Sequence, residues 1–342
     1  MEKQITRENE QCSIDMLKLF LAILVVLRHC GQIFFESNSR FYYIVTNTIS
    51  PIAVPTFFII SGFLFYSKPI NRQRLKHQIF RILRLYLVWS ILYLPLRFEV
   101  YQRETTKVSV QVIIEYVWSA IFDGTYYHLW YLPSLIVALT ISYWITKYIR
   151  RKQQIFIVVL CYILGLLIDT YTFCLPQIQV YFNIYRNIFL TARNGIFFGL
   201  IFVCIGRYFS DNKEEIEGKI EKRLVLGLLS VIILSFVESY YLCVIHSKSV
   251  INMSVSSAFV AVYVFLIALK LNKCKKICGM PTVRNMSTIV FCLHPWILEM
   301  INRLYGQYNV VYKTVLTLFI TLSISFICVK MSKRIKLIKY IM

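Results

Sequence analysis

The sequence predicts an all-α fold: a polytopic integral membrane bundle of about ten transmembrane helices, with both termini cytoplasmic. Three observations carry this. Hydrophobic residues make up 58% of the chain and the mean hydropathy is +0.61, against roughly 45–50% apolar content in soluble domains. Apolar windows of about 20 residues, the length that crosses a roughly 30 Å hydrocarbon core, recur along the whole chain. Lys and Arg also segregate. With the N-terminus inside and the spans alternating, 28 of the 38 fall on inner segments, 9 on outer ones, and Arg28 lies within a span. That asymmetry follows the positive-inside rule, and one missed helix would scramble it.

In order, the spans are expected at 16–35, 44–66, 79–97, 129–149, 155–173, 189–209, 224–245, 252–271, 285–303 and 311–330. The stretch "VIIEYVWSAIF" at 112–122 is too short to cross and reads as interfacial or re-entrant. No repeat, low-complexity segment or soluble domain interrupts the series, so residues 1–342 read as a single transmembrane domain, multi-pass in the plasma membrane. The polar N-terminus "MEKQITRENEQCSID" carries no small-residue cleavage site, and the first apolar run is expected to be a retained span. The net charge of +21 would suggest nucleic acid in a soluble protein. Topology accounts for most of it here, and no nucleic-acid partner is expected. Ten cysteines are scattered without a CxxC pair, and Cys274 and Cys278 sit in a basic loop with no nearby His. Neither a metal site nor a disulfide framework is expected.

Ionisable groups inside a bilayer are costly, which makes each one a candidate for function. In "LKLFLAILVVLRHCGQIFF" (17–35), His29 lies about 14 residues past the inner boundary, roughly 20 Å along a helix and beyond the midplane. Lys18, eleven residues earlier, returns to nearly the same face. Asp15 is spaced to pair with it. Lys18 also suits a snorkelling anchor, and His29 a structural bond between helices. Arg28 lies on another face and is expected to pair with a buried acid, with Glu238, Asp169 and Glu299 as candidates. In "RQRLKHQIFRILRLY" (72–86), Arg81 and Arg84 share a face and offer two planar forks suited to phosphate oxygens. The plain alternative is ordinary positive-inside charge.

Several stretches, in this order, resemble the membrane acyltransferase-3 family over nearly the whole chain. They are Lys18-x10-His29, "PTFFIISGFLFYSK" (55–68), "RILRLY" (81–86), "YHLWYLPSLIVAL" (127–139), "NGIFFGLIFVCIGRY" (194–208) and "STIVFCLHPWIL" (287–298). Within that superfamily "FDGTYYHLWYLP" (122–133) is most similar to the membrane half of VanT-type serine racemases. The resemblance implies an acyltransferase, of O-acetyltransferase type, moving an acyl group from cytoplasmic acyl-CoA to a hydroxyl of an extracytoplasmic or lipid-linked acceptor. That acceptor would be a cell-envelope glycan or another hydroxylated molecule. Acetyl-CoA would be the co-substrate, with Lys18, Arg81 and Arg84 on its phosphates. His29 would be catalytic, either as a base that takes the acceptor's proton or as a transiently acylated residue.

His128 and Trp130 in the aromatic stretch, Arg193 and Asn194 at the outer entry of the sixth span, Glu238, and His294 in "CLHPWI" are the acceptor-binding candidates. The aromatic stretch alone also fits an interfacial belt. Pro295 frees a backbone carbonyl in the preceding turn, a device common near membrane sites. Two departures from the pattern stand out. VanT-type proteins continue into a pyridoxal-phosphate racemase domain, whereas this sequence ends at Met342, so neither that cofactor nor racemase activity is expected. Arg28 also replaces the small apolar residue usual before the first-span His, which changes the electrostatics around His29. The VanT-like stretch leaves a second function open: a membrane carrier for a small polar solute such as an amino acid.

Overall fold

The computed structural model describes residues 2–34, 46–104, 110–189, 191–216, 221–247, 250–271, 280–305 and 309–342. Among these, every regular element is helical. The chain begins with α1 (Glu2–Phe34), α2 (Thr46–Tyr66), α3 (Arg72–Glu104), α4 (Val110–Phe122), α5 (Tyr131–Tyr148), α6 (Arg151–Asp169) and α7 (Gln179–Phe189). It continues through a π turn (Gly195–Gly199) into α8 (Leu200–Asp211), then α9 (Lys222–Tyr240) with its own π turn (Tyr241–Ile245). Last come α10 (Val255–Lys270), α11 (Met280–Leu304) and α12 (Val310–Met331). Each expected span falls on one of these helices, and the short stretch 112–122 is α4, of 13 residues. Residues 35, 44, 45 and 190 of those spans, with Cys274 and Cys278, lie outside the described residues. Among the described residues, five helices (α2, α3, α6, α9 and α12) are long and apolar enough to cross a bilayer.

These helices invert the soluble pattern. On α9 the buried residues are Ser235 and Ser239, while Leu226, Leu229, Ile233 and Val237 point outward. On α12, Thr317, Thr321 and Ser325 are fully buried at four-residue spacing, and Val311, Val315 and Phe319 are exposed. An apolar exterior suits lipid, and small polar residues let neighbouring helices approach closely. The hydroxyls of Thr317 and Ser325 donate back to the carbonyls of Lys313 and Thr321, at 2.8 and 2.7 Å, so burial leaves them satisfied.

The chain divides into two compact units, one of residues 1–60 and 212–340 and one of residues 61–211. In the first, Ala22, Val26 and Cys30 of α1 cluster with Val290, Ile297, Leu298 and Ile301 of α11. Asp15 meets Arg284 and His29 meets His294, so the two helices run parallel. In the second unit α5, α6 and α8 close around Ile145, Val158 and Leu200. A Cβ on Gly195 would lie 2.4 Å from the Ser134 carbonyl, so only glycine lets the π turn come down on α5. Arg207 ties the same helices together, donating from Nη1 to Thr146 Oγ1 at 2.6 Å and to Gln154 Oε1 at 3.0 Å.

Candidate functional sites in the two units

In the first unit α1 and α11 place two groups of ionisable side chains. The Asp15 carboxylate is buried; its Oδ1 accepts from Lys18 Nζ at 3.3 Å, the pairing expected from their spacing. Its Oδ2 accepts from Arg284 Nε at 2.9 Å and Nη2 at 2.8 Å. Two cations thus share one carboxylate, the guanidinium through two of its donors. Arg284 drew no functional expectation because it reads as inner-side charge, and only the packing of α11 on α1 reveals its partner.

Eleven residues beyond Lys18, about 16 Å along the helix, the His29 ring stacks on His294 with centroids 5.3 Å apart and planes 21° apart. His294 is fully buried, and its Nδ1 lies 2.8 Å from the Phe291 carbonyl oxygen and 3.2 Å from that of Val290. A carbonyl can only accept, so Nδ1 carries the hydrogen and Nε2 is the acceptor nitrogen of the neutral ring. Pro295 supplies the cause. In an unbroken helix the N–H of residue 295 would bond to the carbonyl of residue 291. Proline has no N–H, and the imidazole of His294 takes that carbonyl instead.

Arg28 donates from Nη2 to the Ile251 carbonyl at 3.1 Å and to Asn252 Oδ1 at 3.4 Å, both just ahead of α10. The acids considered for it serve as follows. Glu238 accepts from the backbone N–H groups of Val255 and Ser256, each at 2.9 Å, and from the Ser256 hydroxyl. It therefore holds the N-terminus of α10, where negative charge suits the helix dipole. Glu299 pairs with Arg303 at 2.8 Å. Asp169, in the second unit, accepts from the Thr191 hydroxyl at 3.3 Å.

The second unit builds its site on the turn after α4. The Tyr86 hydroxyl donates to the Ala120 carbonyl at 2.6 Å and accepts from the Thr125 N–H at 3.1 Å, while Thr125 Oγ1 donates to Ser90 Oγ at 2.8 Å. These bonds pin the turn to α3. Gly124 has φ +85°, and a Cβ there would meet the Trp130 nitrogen at 2.4 Å, so the turn demands glycine. It buries His128 beside the rings of Tyr93, Tyr126 and Tyr127, the nearest centroid at 5.1 Å, and sets Trp130 edge-on to Phe198 at 5.7 Å. Only Tyr127 of this group stays well exposed.

The guanidinium of Arg193 lies 5.1 Å from the centroid of Trp130, a cation–π contact. Its Nε donates to Thr191 Oγ1 at 3.4 Å, and that hydroxyl donates onward to Asp169. Asn194 caps the π turn, with Oδ1 accepting from the N–H groups of Ile196 and Phe197 at 2.9 Å each, while its Nδ2 donates to the Tyr185 hydroxyl at 2.9 Å. Trp130, Arg193 and Asn194 therefore belong to one neighbourhood.

That neighbourhood also contains Asp123 and Tyr185, which sequence reasoning passed over. Burial pushes the Asp123 carboxyl up to about 6, and the nearby Arg193 charge tempers the rise. Burial likewise pushes the Tyr185 hydroxyl up to about 12, with Asp123 and Asp169 adding to the rise and the Asn194 bond opposing it. Tyr185 thus keeps its O–H at neutral pH. Asp123 lies inside "FDGTYYHLWYLP", where the sequence singles out only His128 and Trp130. Arg81 is exposed and Arg84 half-buried, one turn apart on α3.

Helices with apolar exteriors, a stacked histidine pair inside one unit and an acid–arginine set inside the other define a helical membrane protein with chemistry in its interior. The chain belongs to the acyltransferase-3 family, whose profile, described as an acyltransferase domain, matches residues 13–330. Two proteins of Enterococcus faecalis named amino-acid racemases are similar to it. One is 32% identical over 213 residues, covering 61% of this chain and 29% of the relative. The other is 25% identical over 336 residues, covering 94% and 46%. The serine/alanine racemase of Enterococcus gallinarum is 25% identical over 328 residues, covering 92% and 45%. The chain spans less than half the length of each of these relatives. No solved structure matches it significantly.

Proposed function

We propose that the protein is an O-acyltransferase of the plasma membrane, moving an acetyl group from cytoplasmic acetyl-CoA to a hydroxyl of an extracytoplasmic or lipid-linked cell-envelope acceptor such as a glycan. The observation that carries this reading, within an established acyltransferase family, is the stack of His29 on His294. A neutral imidazole at His29 takes the hydroxyl proton as that oxygen attacks the thioester carbon. The C–S bond then breaks, and the proton passes to the departing CoA sulfur. His294, its hydrogen held on Nδ1, fixes the ring against which His29 rests. The acylated-His29 route gives the same products, and trapping a labelled acyl-enzyme from acetyl-CoA alone would select it.

Lys18, Arg81 and Arg84 are the proposed phosphate-binding residues, and His128, Trp130, Arg193, Asn194 and His294 the acceptor-binding ones. Glu238 contributes by holding the start of α10, next to the segment that receives Arg28. The reading includes ten spans with both termini cytoplasmic. The charge split and the parallel run of α1 and α11 support it. A reporter fused near residue 248 should lie outside, and a cytoplasmic signal there would sink the topology.

The deciding experiment is His29→Ala in the purified, reconstituted protein. Acetyl-CoA affinity should persist while transfer falls at least about 10²-fold, the low end for a general base. Wild-type transfer by a folded variant would overturn the role. A second reading, a carrier for an amino acid, draws on the names of the relatives. Counterflow of a labelled amino acid in proteoliposomes free of acyl-CoA would favour it.

A further inference from the structure

At the end of α5 and the start of α6, in the second unit, Lys147, Arg150, Arg151 and Lys152 place four cations within six residues. All four are exposed, and no acid occurs anywhere between Gly124 and Ile168. Among the described residues none of them pairs with a carboxylate, unlike Arg207, whose Nε meets Asp211 at 3.3 Å. Aromatic rings hold two of them instead. Trp144 and Tyr148, one turn apart on α5, stack with centroids 5.6 Å apart and planes 8° apart. The Lys147 Nζ lies 5.8 Å from the first centroid and 5.2 Å from the second. The Arg151 guanidinium lies 5.9 Å from the ring centroid of Tyr208 on α8. A ring face attracts a cation without neutralising it, so the cluster is ordered and keeps its full charge. Directly beyond it along α6, Ile155, Phe156, Val159 and Leu160 share one face and are exposed.

We propose that this corner binds one anionic phospholipid, with its phosphate among the four cations and its acyl chains along the apolar face of α6. A phosphodiester supplies the counterion that the neighbouring side chains do not. The apolar face decides the source of that phosphate. Exposed Ile155 and Phe156 set the cations at a hydrocarbon boundary, where a phosphate with attached acyl chains gains burial that a soluble phosphate does not. Charge decides the headgroup. The ammonium of phosphatidylcholine would face four like charges, whereas the glycerol of phosphatidylglycerol leaves the phosphate undiluted. In the proposed topology this connection lies on the cytoplasmic side, where anionic lipids attract basic segments. Binding of the lipid is independent of acyl transfer, and its test needs no acyl donor.

Native mass spectrometry of the full-length protein, released from nonionic detergent, tests this with phosphatidylglycerol, phosphatidylcholine and inorganic phosphate as probes. One phosphatidylglycerol should be retained per chain, at least about tenfold more tightly than phosphatidylcholine, and excess inorganic phosphate should not displace it. A basic residue near an anionic surface contributes about a fivefold factor, so Lys147→Gln with Arg151→Gln should weaken phosphatidylglycerol about thirtyfold. Lys222→Gln with Arg223→Gln, at an exposed basic pair opening α9, removes the same charge and should change affinity less than about twofold. All four side chains are exposed, so both variants should keep the wild-type melting temperature. Equal retention of the two lipids by the wild type overturns the inference, as does displacement by inorganic phosphate, and neither outcome depends on a variant. A control pair that weakens binding as much as the first pair reduces the cluster to ordinary inner-side charge and overturns it too.

Discussion

In the first unit Asp15 holds both Lys18 and Arg284, and the Nδ1 of His294 rests on a carbonyl that Pro295 leaves open. In the second unit, among the described residues, the Asp123 carboxylate and the terminal nitrogens of Arg193 make no hydrogen bond. The first arrangement fixes geometry in advance, which is what a proton transfer at a single ring nitrogen requires. The second keeps donors and acceptors in reserve, which is what recognition of a charged molecule requires. Buried polarity alone therefore does not mark a reacting centre; what matters is whether the groups already satisfy one another.

The largest expected effect tests the first half of that contrast. Asp15→Ala removes the buried partner of two cations. Breaking a fully buried pair costs roughly 3–5 kcal/mol, and the half-exposed Arg284 lowers the figure here to about 2–3 kcal/mol. A clear drop in the melting temperature of the detergent-purified protein should follow. An unchanged melting temperature would mean that this carboxylate does not brace α1 against α11, and the contrast would lose one side.

A smaller effect is expected at Pro295. Pro295→Ala restores an N–H that competes with His294 for the Phe291 carbonyl. The imidazole then loses part of a bond worth about 1 kcal/mol, so kcat for transfer should fall by about fivefold while KM for acetyl-CoA stays constant. A helix break alone would move both constants or lower stability. A kcat equal to wild type would remove the link between the proline and the ring.

Much of this was legible in the chain. Hydropathy located the helices because lipid-facing surfaces must be apolar, and the Asp15–Lys18 pair followed from three-residue spacing. Pro295 could be read as freeing a carbonyl because proline's missing N–H is covalent fact. The recipient of that carbonyl, the stack of His29 on His294 and the bond from Arg284 to Asp15 across 269 residues of sequence were not legible. Each depends on which faces of α1 and α11 meet. Asp123 was hidden for another reason: beside Gly124, an aspartate reads as turn chemistry, and only its burial near Arg193 marks it out.

The mildest effect, at Asp123, probes the second half of the contrast. Its carboxyl stands raised to about 6, chiefly by burial, with Arg193 pulling the other way. A carboxyl raised in the folded state favours the protonated form. Its contribution to stability is complete below the ordinary carboxylate range and is lost as pH rises through about 6. Without ligand, the wild type should therefore be less stable than Asp123→Asn at pH about 7.5, and the gap should close as pH falls through about 6. Asp123 is partly solvated, so the gap should be small. Arg193→Gln removes the opposing charge and should move the closing point to higher pH. Melting curves of the three proteins across this range would measure it. A gap that does not change with pH would show that Asp123 is already paired, and the second unit would then be as fully satisfied as the first.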